Sequence, residues 1–466
     1  MPQALPSFDK TLDEFAQMDY RQTAYEVMKL LLTDFTEEEL RYCIDKAYDG
    51  KFDTEAIAPL AEVKNAWYLE LFHGPTIAFK DMALSILPYL MTTAAKKNQI
   101  KNEIVILTAT SGDTGKAALA GFADVPGTRI MVFYPKDGVS PIQEKQMVTQ
   151  KGKNTYVVAI RGNFDDAQTG VKKIFTTPEI SAKLEANNML FSSANSINWG
   201  RLLPQIVYYI SAYCDLVNAG KIAMGDKINV VVPTGNFGNI LASYYASIMG
   251  LPINKFICAS NSNNVLSDFI KTGVYDKNRH FYTTISPSMD ILVSSNLERL
   301  LYKLSGNNAD TTKELMTALK TVGKYEVSDE IKAGIKSKFF GGFCDDEQTK
   351  ATIKALFDTD NYLCDTHTAV AVNVYEQYVE QTGDTTPSVI ASTASPYKFS
   401  KAVLEAVSDG TDLPENEFDM VEKLFEVSNA PVPAPLAALK DKKARFSDVT
   451  EVNSMPQYVL DALNIK

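Results

Sequence analysis

The chain has 466 residues, 45% of them hydrophobic, and a formal charge of −11. That length and composition fit a globular protein of about two or three domains with a large core, and they exclude wholesale disorder. The acidic balance disfavours nonspecific binding to nucleic acid or to an anionic membrane, while a locally basic site for a small anion remains compatible with it. Five cysteines (Cys43, Cys214, Cys258, Cys344 and Cys364) are scattered without a CxxC pair, which argues against a disulfide framework or a zinc cluster. His73, His280 and His367 stand far apart, so no metal site is expected. The start, MPQALPSFDK, lacks a basic segment followed by an apolar run, and no apolar stretch reaches membrane-spanning length. A cytoplasmic setting is the expectation.

Residues 8–50 read as amphipathic helix, with Phe15, Met18, Tyr25, Val27, Met28, Leu31 and Leu32 among charges. Glu37, Glu38 and Glu39 read as a solvated helix start. From residue 100 short apolar runs alternate with helical patterns. Strands are predicted at Ile104–Leu107, Ile130–Phe133, Tyr156–Ile160, Ile228–Val232, Phe256–Ala259 and Val389–Ala391. Continuous apolar strands between helices imply parallel sheets covered on both faces. Residues 290–360 are charged and read as a helical insertion. Pro431, Pro433 and Pro435 mark an extended segment, and Lys440, Lys442, Lys443 and Arg445 a solvated face.

Five segments can carry chemistry. Lys80 lies in His73-Gly74-Pro75-Thr76-Ile77-Ala78-Phe79-Lys80-Asp81, among apolar side chains and a Gly-Pro turn. A lysine held there loses hydration, which favours the neutral amine that attacks a carbonyl. Thr110-Ser111-Gly112-Asp113-Thr114-Gly115 joins a strand to a helix and is either an anion site or an ordinary N-cap. It is not a Walker loop, because the spacing before Gly115-Lys116 is short and Ala117 replaces the magnesium-binding hydroxyl. Pro233-Thr234-Gly235-Asn236-Phe237-Gly238-Asn239 is a second such turn, read as a phosphate cradle or a left-handed turn; its spacing is not that of a dinucleotide site. Ser192 to Arg201 combines polar groups with one guanidinium, either an anion contact or a polar loop. Thr393, in Ser392-Thr393-Ala394-Ser395-Pro396, follows a strand and is either a ring-nitrogen contact or a Ser/Thr turn. One ligand uses an aldehyde, a phosphate and a ring nitrogen together: pyridoxal phosphate.

ELFHGPTIAFKD around Lys80, LTATSGDTG, SPIQEKQM, SANSIN, PTGNFGN and TASPYKF occur in this order over residues 65–400. In that order they resemble the threonine synthase family, in its longer bacterial and fungal form. The resemblance implies an α/β fold with two parallel-sheet domains of the tryptophan synthase β-like pyridoxal-phosphate class and an N-terminal helical segment. The expected division is residues 1–65 as that segment, 66–98 and 221–466 as the large cofactor domain, and 99–220 as the smaller domain. The resemblance further implies that Lys80 is the catalytic Schiff-base lysine. Gly235, Asn236, Phe237, Gly238 and Asn239 would hold the cofactor phosphate, and Thr393 its pyridine nitrogen. Ser111, Asp113 and Thr114 would face the substrate carboxylate, with Asn195, Ser196, Asn198 and Arg201 at its phosphate end. Asn239 and Ser395 stand where family members often carry Asp and His. The implied reaction, that of a carbon-oxygen lyase, turns O-phospho-L-homoserine and water into L-threonine and phosphate. The small-molecule substrate would be the partner of a monomer or homodimer. Rivals are a dehydratase on the same fold, a silent binding scaffold and, without a complete P-loop, a kinase.

Overall fold

The computed structural model describes residues 4–408, 410–411 and 413–465, so the first three residues of the N-terminal stretch lie outside it. Among the described residues thirteen strands occur in chain order: β1 Leu60–Val63, β2 Ala66–Glu70, β3 Glu103–Ala109, β4 Thr128–Pro135, β5 Thr155–Arg161, β6 Met189–Ser192, β7 Ile228–Pro233, β8 Ile253–Ser260, β9 Val274–Asp276, β10 Lys324–Glu326, β11 Phe339–Phe343, β12 Ser388–Ser392 and β13 Val449–Glu451. All six strands predicted from apolar runs lie inside β3, β4, β5, β7, β8 and β12.

The chain divides into two compact units. The first comprises the described residues of Met1–Leu32, Thr54–His73 and Leu202–Pro431. Its sheet has the order β1-β2-β12-β7-β8-β11. Only β1 and β2 pair antiparallel there; the rest are parallel. Every residue of β7 and of β12 is buried, as expected for strands covered on both faces. The stretch expected as a helical insertion does carry helices Leu297–Leu304, Ala309–Thr321, Asp329–Lys338 and Asp346–Asp360. It also supplies β11, which pairs in parallel with β8 and closes one edge of this sheet.

The second unit comprises Thr33–Asp53, Gly74–Arg201 and the described part of Val432–Lys466. Its sheet, β13-β5-β4-β3-β6, is parallel throughout. One face is covered by Phe164–Thr176 and Met455–Ala462 around Val105, Leu107, Phe133 and Ile160. The division differs from the expected one. The N-terminal helices are shared, with Tyr20–Lys29 in the first unit and Glu37–Ala47 in the second. Residues 74–98 and the C-terminal segment, expected with the larger sheet, belong to the second unit: Leu84 packs on Gly121, and β13 pairs with β5. Glu37 and Glu38 are exposed in the first turn of a helix that Thr36 and Glu39 close as a capping box.

Candidate active site

In the second unit, Lys80 is the residue before helix Asp81–Leu84 and is only 9% exposed. The turn leading to it is held by Asp81, which is fully buried. One carboxylate oxygen accepts from Thr76 N–H at 2.8 Å and the other from the Thr76 hydroxyl at 2.5 Å. Inside that clamp Ile77 has φ +55°. A β-branched residue rarely adopts the left-handed region, and such strain persists only where surroundings over-determine it. Lys80 Nζ lies 3.7 Å from Asp113 Oδ2 and 4.9 Å from the centre of the Phe79 ring.

Asp113 opens helix Asp113–Phe122, and its other oxygen accepts from Gln143 Nε2 at 3.0 Å. Gln143 belongs to the SPIQ segment, where it forms a capping box with Ser140. Two of the family motifs therefore meet at Asp113. Gly121, two turns along the same helix, lets the carbonyl of Leu84 approach to where a side chain would stand: a Cβ there would lie 2.1 Å from that oxygen. The helix after Lys80 and the helix carrying Asp113 are thereby held at close range. Thr110 Oγ1 accepts from the N–H groups of Gly112 and Gly115 at 3.0 and 2.9 Å. Ser111 is exposed and Thr114 half-buried. Asp113 was expected to face a substrate carboxylate. Its side-chain oxygens lie against Lys80 and Gln143, and its N–H stands at the start of the helix.

The SANSIN loop is braced from within. Asn198 Nδ2 donates to Ser193 O at 2.9 Å, and Asn198 Oδ1 accepts from Gly200 N–H at 2.9 Å. Arg201 is 4% exposed and donates to Ala194 O at 2.7 Å. Burial pushes its guanidinium down to about 10. Asn195 is exposed and Ser196 half-buried, so these two lie on the loop's outer side.

In the first unit, β7 runs into the glycine turn, and helix Gly238–Met249 follows. Phe237 takes φ +62°. A strap over residues 288–296 holds this turn. Ser294 Oγ donates to Gly235 O at 2.7 Å, and both Asn296 N–H and Nδ2 donate to Asn236 O at 3.1 and 3.0 Å. Ser295 Oγ lies 3.2 Å from Asn236 Oδ1. Among the described residues, the N–H groups of Gly235, Asn236, Phe237 and Gly238 donate to no backbone carbonyl. Asn239 Oδ1 accepts from Tyr209, while its buried Nδ2 has no partner among the described residues. Free amides at the start of a 12-residue helix, beside an unsatisfied donor, fit the phosphate of pyridoxal phosphate. Thr393 follows β12 and is 5% exposed. Its position at the sheet's carboxyl edge suits a hydroxyl contact to a ring nitrogen.

Gln143, the strap and the buried pair Asp365–His367 are not among the residues expected from the sequence. Gln143 had a visible signal in the Ser-x-x-Gln capping pattern. Asp365 had one as the N-cap of helix Thr366–Thr382. His367 has no such local signal. No group of metal-binding residues occurs among the described residues.

A family model described as "Pyridoxal-phosphate dependent enzyme" matches residues 53–329. Models for "Threonine synthase N terminus" and "Threonine synthase, C-terminal" match residues 1–48 and 368–459. "Threonine synthase-like 1" of Homo sapiens is 41% identical over 80% of this chain and 51% of its own length. The chain thus spans about half the length of the threonine synthase-like 1 proteins it matches. "Threonine synthase" of Pseudomonas aeruginosa is 38% identical over 91% of this chain and 88% of its own. The crystal structure of PLP-bound threonine synthase from Brucella melitensis superposes with a TM-score of 0.87 at 35% identity, over 98% of this chain and 92% of that one. The chain belongs to the threonine synthase family of pyridoxal-phosphate-dependent enzymes.

Proposed function

We propose that this chain uses pyridoxal 5'-phosphate to convert O-phospho-L-homoserine and water into L-threonine and phosphate. The observation that carries the reading is Lys80: a nearly buried amine beside a carboxylate, on a turn clamped by Asp81 and strained at Ile77. The bound cofactor supplies an electron sink that makes the substrate's Cα and Cβ protons removable. Lys80 is the covalent anchor and the proton carrier: it takes a proton at Cα and then at Cβ, returns one at Cγ after phosphate departs, and returns one at Cα after water adds at Cβ, the water's remaining proton leaving with phosphate. Asp113 holds the Lys80 ammonium when the lysine acts as acid, and Gln143 keeps that carboxylate aimed.

Gly235, Asn236, Phe237, Gly238 and Asn239 take the cofactor phosphate, and Thr393 takes the ring nitrogen. Thr393 is neutral, so it accommodates an unprotonated ring, unlike an aspartate. Ser111 and Thr114 serve the substrate carboxylate. Asn195 and Ser196 serve its phosphate end. Asn198 and Arg201 shape that loop, and the Arg201 charge offsets the departing phosphate electrostatically. No helix of the described residues is long and apolar enough to cross a membrane; the proposal has the chain act in the cytoplasm as a monomer or homodimer. The test is phosphate and threonine release from purified phosphohomoserine, with ammonia release measured alongside. Stoichiometric phosphate and threonine are expected. Ammonia without phosphate would assign a dehydratase instead.

A further inference from the structure

Asp365 and His367 lie at the start of helix Thr366–Thr382 and are 0% and 3% exposed. His367 Nδ1 lies 2.7 Å from Asp365 Oδ2, and His367 Nε2 accepts from Ser288 N–H at 3.2 Å. A backbone N–H can only donate, so Nε2 presents its lone pair and the ring proton sits on Nδ1, facing the carboxylate. The other oxygen of Asp365 accepts from Thr368 N–H at 3.0 Å and from the Thr368 hydroxyl. That hydroxyl lies 3.2 Å from Ser392 Oγ, on the last residue of β12. At the opposite end, Ser288 presses its carbonyl on the glycine turn: a Cβ on Gly235 would lie 2.6 Å from Ser288 O. One chain of contacts therefore runs Ser392, Thr368, Asp365, His367, Ser288, Gly235. It joins the residue before Thr393 to the first glycine of the phosphate turn.

We propose that Asp365 and His367 are positioning residues that lock the 288–296 strap onto the phosphate turn and so set the spacing between that turn and Thr393. This rests on the reading above, in which one rigid cofactor is bound by its phosphate at Gly235–Asn239 and by its ring at Thr393. A ligand whose two ends are a fixed distance apart is bound well only where both contacts are held rigidly by supporting hydrogen bonds. The pair touches neither end of the ligand. It acts through Ser288 on one side and Ser392 on the other.

The test is a titration of the apoprotein with pyridoxal 5'-phosphate and, separately, with pyridoxal, which lacks the phosphate, followed by absorbance. Wild type should prefer the phosphorylated form. His367→Leu leaves Ser288 N–H without its acceptor and should lower pyridoxal-phosphate affinity by about tenfold or more, while pyridoxal affinity moves by less than about threefold. His367→Gln, whose amide oxygen can accept from Ser288, should recover most of the lost preference. Equal losses for the two ligands, or an unchanged preference, would overturn the proposal. Should the leucine variant not fold, Asp365→Asn decides. It leaves the ring and the two Thr368 donors competing for one amide oxygen, so a reduced preference is expected and an unchanged one overturns the assignment. Wild type with no preference for the phosphorylated form would overturn the phosphate reading of Gly235–Asn239, and this proposal with it, before any variant is compared.

Discussion

Gly235 and Gly238 differ in what surrounds them, and that difference separates structural from ligand-binding roles. A Cβ on Gly235 would sit 2.6 Å from Ser288 O, closer than real Cβ atoms come, and that oxygen is backbone and cannot swing away. A Cβ on Gly238 would meet nothing nearer than Asn296 Nδ2 at 3.5 Å, an ordinary contact. Gly235→Ala must displace the strap and loosen the bonds from Ser294 and Asn296. Overpacking of this kind costs about 1–3 kcal/mol, so the apoprotein should unfold at lower denaturant. Gly238→Ala should leave apoprotein stability unchanged, or raise it by up to about 1 kcal/mol, because alanine is the better helix former. It should still weaken pyridoxal-phosphate binding if the bare backbone there is what lets an anion approach. Denaturant melts of both apoproteins, with a cofactor titration of each, read the two effects apart. The reasoning is refuted if Gly235→Ala is as stable as wild type, or if Gly238→Ala binds the cofactor unchanged.

Three further outcomes follow from the same geometry. Ile77→Gly relieves a left-handed β-branched residue, a gain of about 1–2 kcal/mol, but empties a site that is 1% exposed, a loss of about 2–5 kcal/mol; apoprotein stability should therefore fall and turnover slow because the Lys80 turn is no longer held in one conformation, which a melt and kcat measure. Arg201→Ala should destabilise the second unit by about 1–3 kcal/mol through the lost contact to Ala194 O, and should reduce use of phosphohomoserine more than cofactor affinity. Asp384 gives a pH test. Burial would raise its pKa, but hydrogen bonds from Thr386, Tyr378 and Asn229 outweigh that and hold it at about 2. A depressed carboxylate pKa stabilises the fold fully above the unfolded value of about 4, and the gain is lost as pH falls through about 2. Asp384→Asn should therefore be less stable than wild type near neutrality, on the order of 1 kcal/mol after solvent screening, with the gap closing toward the folded value. A gap that widens on acidification would contradict the assignment.

What was legible in the chain follows from how local each cause is. β7 and β12 announce themselves because burial on both faces demands an unbroken apolar run. β11 does not, because Gly341 and Gly342 dilute Phe339-Phe340 and Phe343, and glycine weakens any strand pattern. β13 is three residues long, with Val449 and Glu451 exposed, so no alternation marks it. The passage of the N- and C-terminal segments between units rests on contacts far apart in sequence, such as Val449 with Ala159, which no periodicity encodes. At the site, Lys80 and the glycine turns were readable because the immediate neighbours dictate their conformation. His367 was not, because its partner Ser288 is 79 residues away. The Asp113 charge was visible in the chain, but its contact with Lys80, 33 positions earlier, was not.

The central claim is that Lys80 is the amine that joins pyridoxal phosphate, and borohydride reduction of the cofactor-saturated protein followed by peptide mapping tests it most directly. The account predicts one pyridoxyl adduct, on the peptide carrying Phe79-Lys80-Asp81, and none in Lys80→Ala. An adduct on another lysine, such as the more deeply buried Lys398 at 1% exposure, or no adduct at all, would contradict it.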